Sequence, residues 1–219
     1  ASADSLKPPD YSDIGQAKVL VREYWDELCY TESTDYLRYD GRCWIESRQR
    51  AIGVVEEFLD LQLADAEAAV DAALRELTFI GEVEFDLSNG LRGLEKQFKA
   101  FDDAEKIRKL EEAKTKLSAA LVYKAFVMKR RDMNCLLAAL AAAKPMVQME
   151  VSDLDRDPVL LNTPEATYDL RYGMAGAQAH EPRNYLTKIT GFSPSEKGMD
   201  IWQNALETFF SGDKELLDY

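Results

Sequence analysis

From Leu94 to Lys144 the chain runs about 50 residues without a glycine or a proline. The usual breakers are absent, so this stretch is most simply filled by helix. Its apolar residues agree. Leu94, Phe98, Phe101, Ala104, Ile107, Leu110, Ala113, Leu117, Leu121, Ala125 and Met128 recur at steps of three and four, and the pattern continues towards Leu136, Leu137 and Leu140. Either one helix of roughly 50 residues or two helices with a helix-compatible kink near Asp102-Asp103 satisfies it. Upstream, Ile45, Ile52, Val55, Leu59, Leu63, Ala66, Val70, Ala73, Leu77 and Ile80 mark a second stripe that stops near Gly81. Asp86-Leu-Ser-Asn-Gly90 then reads as a turn.

Two neighbouring stripes of nearly heptad spacing predict an antiparallel helical hairpin within a bundle. Charge supports the pairing. Residues 53–90 carry ten acids and one base, Arg75, whereas 91–131 carry twelve bases and six acids. Helices of opposite sign attract along their flanks, which sets orientation more than stability.

Either side of the hairpin the pattern is weaker. Ser12 or Asp13 caps a first helix that carries Ile14, Ala17, Leu20 or Val21, Tyr24 or Trp25, and Leu28. The run from Tyr30 to Gly41 reads as turn chemistry. After Pro145 the chain holds Pro158, Pro164, Pro182 and Pro194 with Gly173, Gly176 and Gly191. That predicts an irregular excursion with a short helical piece over Pro164–Tyr172. A last helix over Glu196–Phe210 places Ile201, Trp202, Leu206, Phe209 and Phe210 on one side. The expected fold is all-α: an up-down helical bundle on a long antiparallel hairpin. The expected organisation is a tail over 1–12, a bundle over 13–144, and an irregular partner-contacting extension over 145–219.

The sequence marks no catalytic, cofactor-binding or metal residue, and the expectation is a non-enzyme. Cys29 and Cys43 flank the predicted turn and are the candidate disulfide, with two free thiols as the alternative. Asp153-Leu-Asp-Arg-Asp157 has alternate acids like a calcium loop, but Pro158 stands where that loop needs glycine. His180 is a lone loop histidine, better read as a surface residue than as a ligand. Met146, Met149, Met174, Met199 and Trp202 are the residues available to line a small-ligand pocket, and core packing explains them equally.

Tyr24, Trp25, Tyr30, Tyr36, Tyr39 and Trp44 concentrate six aromatics in a short stretch, and such residues anchor interfaces or pack the end of a bundle. Together with Lys129, Arg130, Arg131, Trp202, Phe209 and Phe210 they are the partner-contact candidates. A net charge of −13 argues against nucleic acid as the main ligand. No stretch reaches the ~20 apolar residues of a membrane span. The small, polar N-terminus suits a chain freed from a transit peptide.

In topology alone, over about the first 145 residues, this layout resembles the helical-bundle accessory subunits on the faces of organellar membrane complexes, the lumenal subunits of photosystems included. That resemblance implies a non-catalytic structural or linker subunit, peripheral to the membrane through its protein partners. A chloroplast thylakoid photosystem–antenna assembly is the expected setting. A mitochondrial respiratory or ATP-synthase complex is the alternative, and a small-ligand-binding bundle or enzyme is the alternative of another class.

Overall fold

The computed structural model describes residues 5–195 and 197–210. It corrects the all-α expectation. The chain is mixed α/β, with two small antiparallel sheets of three strands each. It divides into two compact units, one of Ala1–Asp40 with Trp44–Leu154, the other of Gly41–Cys43 with Asp155–Tyr219.

In the first unit, α1 (Asp13–Glu23) starts where the Ser12 hydroxyl accepts the Gly15 N–H. The expected turn is instead a β-meander. β1 (Leu28–Thr31), β2 (Asp35–Tyr39) and β3 (Trp44–Glu46) pair in that order, with Cys29 opposite Leu37 and Tyr39 opposite Trp44. Aromatic and β-branched residues favour the pleated surface, and only Glu32, Ser33 and Thr34 form the connection. Asp35, in the left-handed region at φ 61°, starts the return strand.

α2 (Arg48–Gly81) is 34 residues long, about 50 Å, and is capped by Ser47. The Gly- and Pro-free stretch is divided into three helices: α3 (Gly90–Phe98), α4 (Ala104–Arg130) and α5 (Met133–Val147). Both breaks fall at aspartates. Asp103 is extended and its carboxylate accepts the Glu105 and Lys106 N–H groups, while Asp132 is extended ahead of α5. Short acidic side chains compete with the helical backbone, so a helix can end without glycine or proline. The helix also runs past Pro145, which sits in the last turn of α5.

α2 and α4 run antiparallel, as their ion pairs show: Glu82 with Lys106, Glu76 with Lys116, Glu67 with Lys124, and Asp60 with Arg131. The core follows the hairpin. At one end Leu20, Tyr24, Tyr36, Val55, Phe58, Leu136 and Leu140 pack together. At the other end Ala73, Leu77, Leu94, Phe98, Leu110 and Leu117 do so. Between them lie Ala66, Tyr123 and Val127.

The second unit is not the irregular excursion expected of it. β4 (Leu160–Asn162), β5 (Thr167–Asp169) and β6 (Ala177–Gln178) form an antiparallel sheet in that order. The short helix expected over Pro164–Tyr172 is therefore a β-turn region, β5 and the start of a 3₁₀ stretch. The last helix, α6 (Met199–Phe209), is present, and its expected start at Glu196 lies outside the described residues.

Candidate nucleic-acid interface

The aromatic cluster is mostly interior. Tyr24, Tyr36 and Trp44 are buried, Tyr30 and Tyr39 half-buried, and Trp25 alone is half-exposed. The Tyr36 hydroxyl donates to the Leu140 carbonyl, and burial, with the Asp35 charge, pushes its pKa up. Lys144 sits 4.4 Å above the Tyr30 ring. These rings join the first sheet to α5.

The cysteines do not bond. Cys29, Cys43 and Cys135 form no disulfide with one another. β2 stands between β1, which holds Cys29, and β3, which starts one residue after Cys43. Two strand spacings are about 9–10 Å, beyond the ~7 Å that a disulfide spans. Burial pushes the Cys29 thiol up to about 12.

The Lys129-Arg130-Arg131 cluster is split. Arg130 turns inward, pairs with Asp13, donates to the Tyr11 carbonyl and stacks over Phe126 at 4.6 Å. Arg131 holds Asp60, and Lys129 is exposed. Trp202 and Phe209 are 59% and 80% exposed on α6, and Phe210 is exposed beside them. Met146, Met174 and Met199 are exposed too, as a closed ligand pocket would not leave them. His180 is a strut of the second unit. Asn162 Oδ1 only accepts, so His180 Nδ1 donates to it at 2.9 Å, and Asn162 Nδ2 donates to the Arg42 carbonyl at 2.8 Å. The Asp155 carboxylate accepts the Thr187 N–H, and Asp157 binds Arg171, so neither carboxylate stands free for a cation. Among the described residues no three His, Cys, Asp or Glu side chains converge as a metal site. None of the described helices is long and apolar enough to cross a membrane.

Two grooves flank the hairpin. One of about 680 Å3, at the junction of α2 and α4, is lined by Glu82, Glu84, Asp103, Glu105, Lys106 and Lys109 among others. Three of its carboxylates are engaged: Asp103 caps α4, Glu82 pairs with Lys106, and Arg108 holds Glu105 below the ordinary carboxylate range. The other, about 380 Å3, runs beside Ala69, Ala72 and Ala119, where Tyr123 donates to Asp65 at 3.0 Å. Burial and the Asp65 charge raise the Tyr123 pKa.

Most basic residues of 91–131 are paired with acids, but Lys129 at the end of α4 and the bases of α3 close no ion pair among the described residues. On α4, Lys106, Lys114, Lys116, Lys124 and Arg131 are each within 4.0 Å of a carboxylate. On α3 and at its C-cap, Arg92, Lys96 and Lys99 are exposed and form no ion pair within 4.0 Å among the described residues, although Arg92 and Lys99 attract Glu95 at longer range. The one acid of that helix, Glu95, is held by Lys114 at 2.8 Å, which lowers its pKa. Sequence reasoning missed this set because it counted the whole 91–131 segment as the partner of α2. The signal was present in the i, i+4, i+7 spacing of the three bases.

A mixed α/β chain with a helical hairpin and a second, sheet-bearing unit is the class that the geometry defines. The family model that matches, over residues 17–211, is described as D5 N terminal like, and this chain belongs to that family. No curated protein matches it. The family is a primase/helicase-like N-terminal domain, which points to a nucleic-acid-related protein. That finding overturns the photosystem, thylakoid and organelle setting, the membrane-complex partners and the exclusion of nucleic acid. The physical error lay in reading −13 as a uniform surface. Much of the acid along α2 is neutralised by α4, and the sum hides where positive charge remains.

Proposed function

We propose that this chain is a non-catalytic module of a primase/helicase-type protein, holding nucleic acid in place while the chemistry proceeds elsewhere. The family match over 17–211, which takes in both units, carries the reading. Two physical features support it. The α2–α4 hairpin is a stiff element about 50 Å long, stapled by ion pairs along its length. The bases on α3 are exposed and close no ion pair among the described residues, which leaves them available to phosphates.

The test is to mix the full chain with single-stranded and duplex oligonucleotides at low salt. Fluorescence anisotropy reads binding, and nucleotide hydrolysis and primer synthesis are followed in parallel. Binding without turnover is the expected result. Turnover that co-purifies with the chain overturns the non-catalytic reading, and no binding to either nucleic acid overturns the nucleic-acid reading.

A further inference from the structure

We infer that the outer face of α3 is a phosphate-backbone contact, on which Arg92, Lys96 and Lys99 track one nucleic-acid strand without reading its bases. This deepens the nucleic-acid reading above and rests on it.

The geometry is set from inside the helix. Leu94 and Phe98 are buried against Leu77, Leu110 and their neighbours, and Phe85 meets Phe98 edge-on at 5.5 Å. That fixes the rotation of α3. At 100° per residue the three bases fall within about 60° of arc on the side away from Leu94 and Phe98. Along the axis they are about 6 Å and about 4.5 Å apart, a row of roughly 10 Å. Successive phosphates of one strand rise by ~3.4 Å, so the row matches about three of them, and long Lys and Arg side chains take up the mismatch.

Position and electrostatics agree. The one acid of the helix, Glu95, makes its ion pair with Lys114 and is attracted by Arg92 and Lys99 only at longer range, so it offsets part of the row's charge without closing an ion pair on it. Gln97 turns to the other flank, where it accepts the Asp86 N–H and donates to the Asp86 carbonyl, and the Asp86 carboxylate is engaged by Ser88. The row itself holds no aromatic side chain on which a base stacks. Contact is therefore with the backbone and independent of sequence, as for phosphate-dominated binding generally.

The experiment compares the full chain with the R92Q/K96Q/K99Q variant, and with R48Q/R50Q at the opposite end of α2 as a charge control. Both sets of side chains are exposed, and circular dichroism confirms that the helices remain. Anisotropy is read on single-stranded DNA, duplex DNA and poly-glutamate across 50–200 mM salt. Three lost phosphate contacts lower the salt slope by about 2 on single strands and about 3 on duplex. Between 50 and 200 mM salt the wild-type advantage over the triple variant therefore narrows about 20–40-fold on the favoured nucleic acid, and R48Q/R50Q shifts it much less. The strand whose slope falls by its full share is the one α3 tracks. Wild-type binding with an unchanged slope in the triple variant overturns the α3 assignment and leaves the nucleic-acid reading standing. Equal losses in both variants overturn it as well, because net charge alone then explains them. Binding to poly-glutamate and to neither nucleic acid overturns both.

Discussion

Replacing Gln62 tests whether the first unit is held in register by a single buried amide pair. Gln16 on α1 and Gln62 on α2 are 1% and 0% exposed. Gln16 Nε2 donates to Gln62 Oε1 at 2.7 Å, and Gln62 Nε2 donates back to Gln16 Oε1 at 3.2 Å and to the Leu6 carbonyl at 2.9 Å. The Gln62→Leu change orphans one donor and one acceptor on Gln16 in a place that water does not reach. Each orphan costs about 1–3 kcal/mol, and the leucine's burial recovers part of that, so a net loss of about 2–4 kcal/mol follows. Replacing both residues with leucine removes the orphans on Gln16, leaves the Leu6 carbonyl and the Tyr123 hydroxyl without Gln62, and is expected to cost about 1–2 kcal/mol. The coupling energy is therefore at least about 2 kcal/mol in favour of the double variant. Urea titration followed at 222 nm measures it as a midpoint shift of about 1–2 M for Gln62→Leu at unchanged m. A double variant as unstable as the sum of the two singles would refute the reasoning.

Three further outcomes follow from the geometry. With Cys29 at about 12, roughly one of its thiols in ten thousand is ionised at pH 8, so a thiol reagent should modify half-buried Cys135 first and Cys29 only on unfolding. All three cysteines should titrate in urea without reductant, and a count below three contradicts the free-thiol state. Tyr36 and Tyr123 have raised pKa values in the folded chain, so their contribution is whole below their ordinary value of 10 and is lost as pH climbs above it. The urea midpoint should drop between pH 9 and 11, and Tyr123→Phe should flatten that drop; an unchanged slope refutes the assignment. Asp103→Ala removes the cap that receives the Glu105 and Lys106 N–H groups and should cost about 1 kcal/mol, whereas Asp103→Ser should restore most of it. Equal losses in those two variants would show that the cap contributes nothing.

The sequence by itself determined the helical hairpin. A three-and-four stripe in a segment free of glycine and proline has few other ways to bury its apolar side, and the opposite charges of 53–90 and 91–131 admit one orientation best. Buried Leu77, Leu110 and Leu117, and the four ion pairs between α2 and α4, all lie where that pattern puts them. Only the tertiary structure decided the rest. Strands of three to five residues carry too little periodicity to stand out from turn residues, so β1 to β3 and β4 to β6 emerge only from their pairing. The tyrosines Tyr24 and Tyr36 are compatible with a surface anchor or a core, and only packing against Phe58 and Leu140 chose the core. The same holds for charge. Arg130 and Arg131 are neighbours in sequence, yet one is buried over Phe126 and the other holds Asp60. Arg92, Lys96 and Lys99 close no ion pair among the described residues, whereas Lys106, Lys114, Lys116 and Lys124 of α4 each do. A sequence counts charges, but neutralisation depends on distance, and distances belong to the fold.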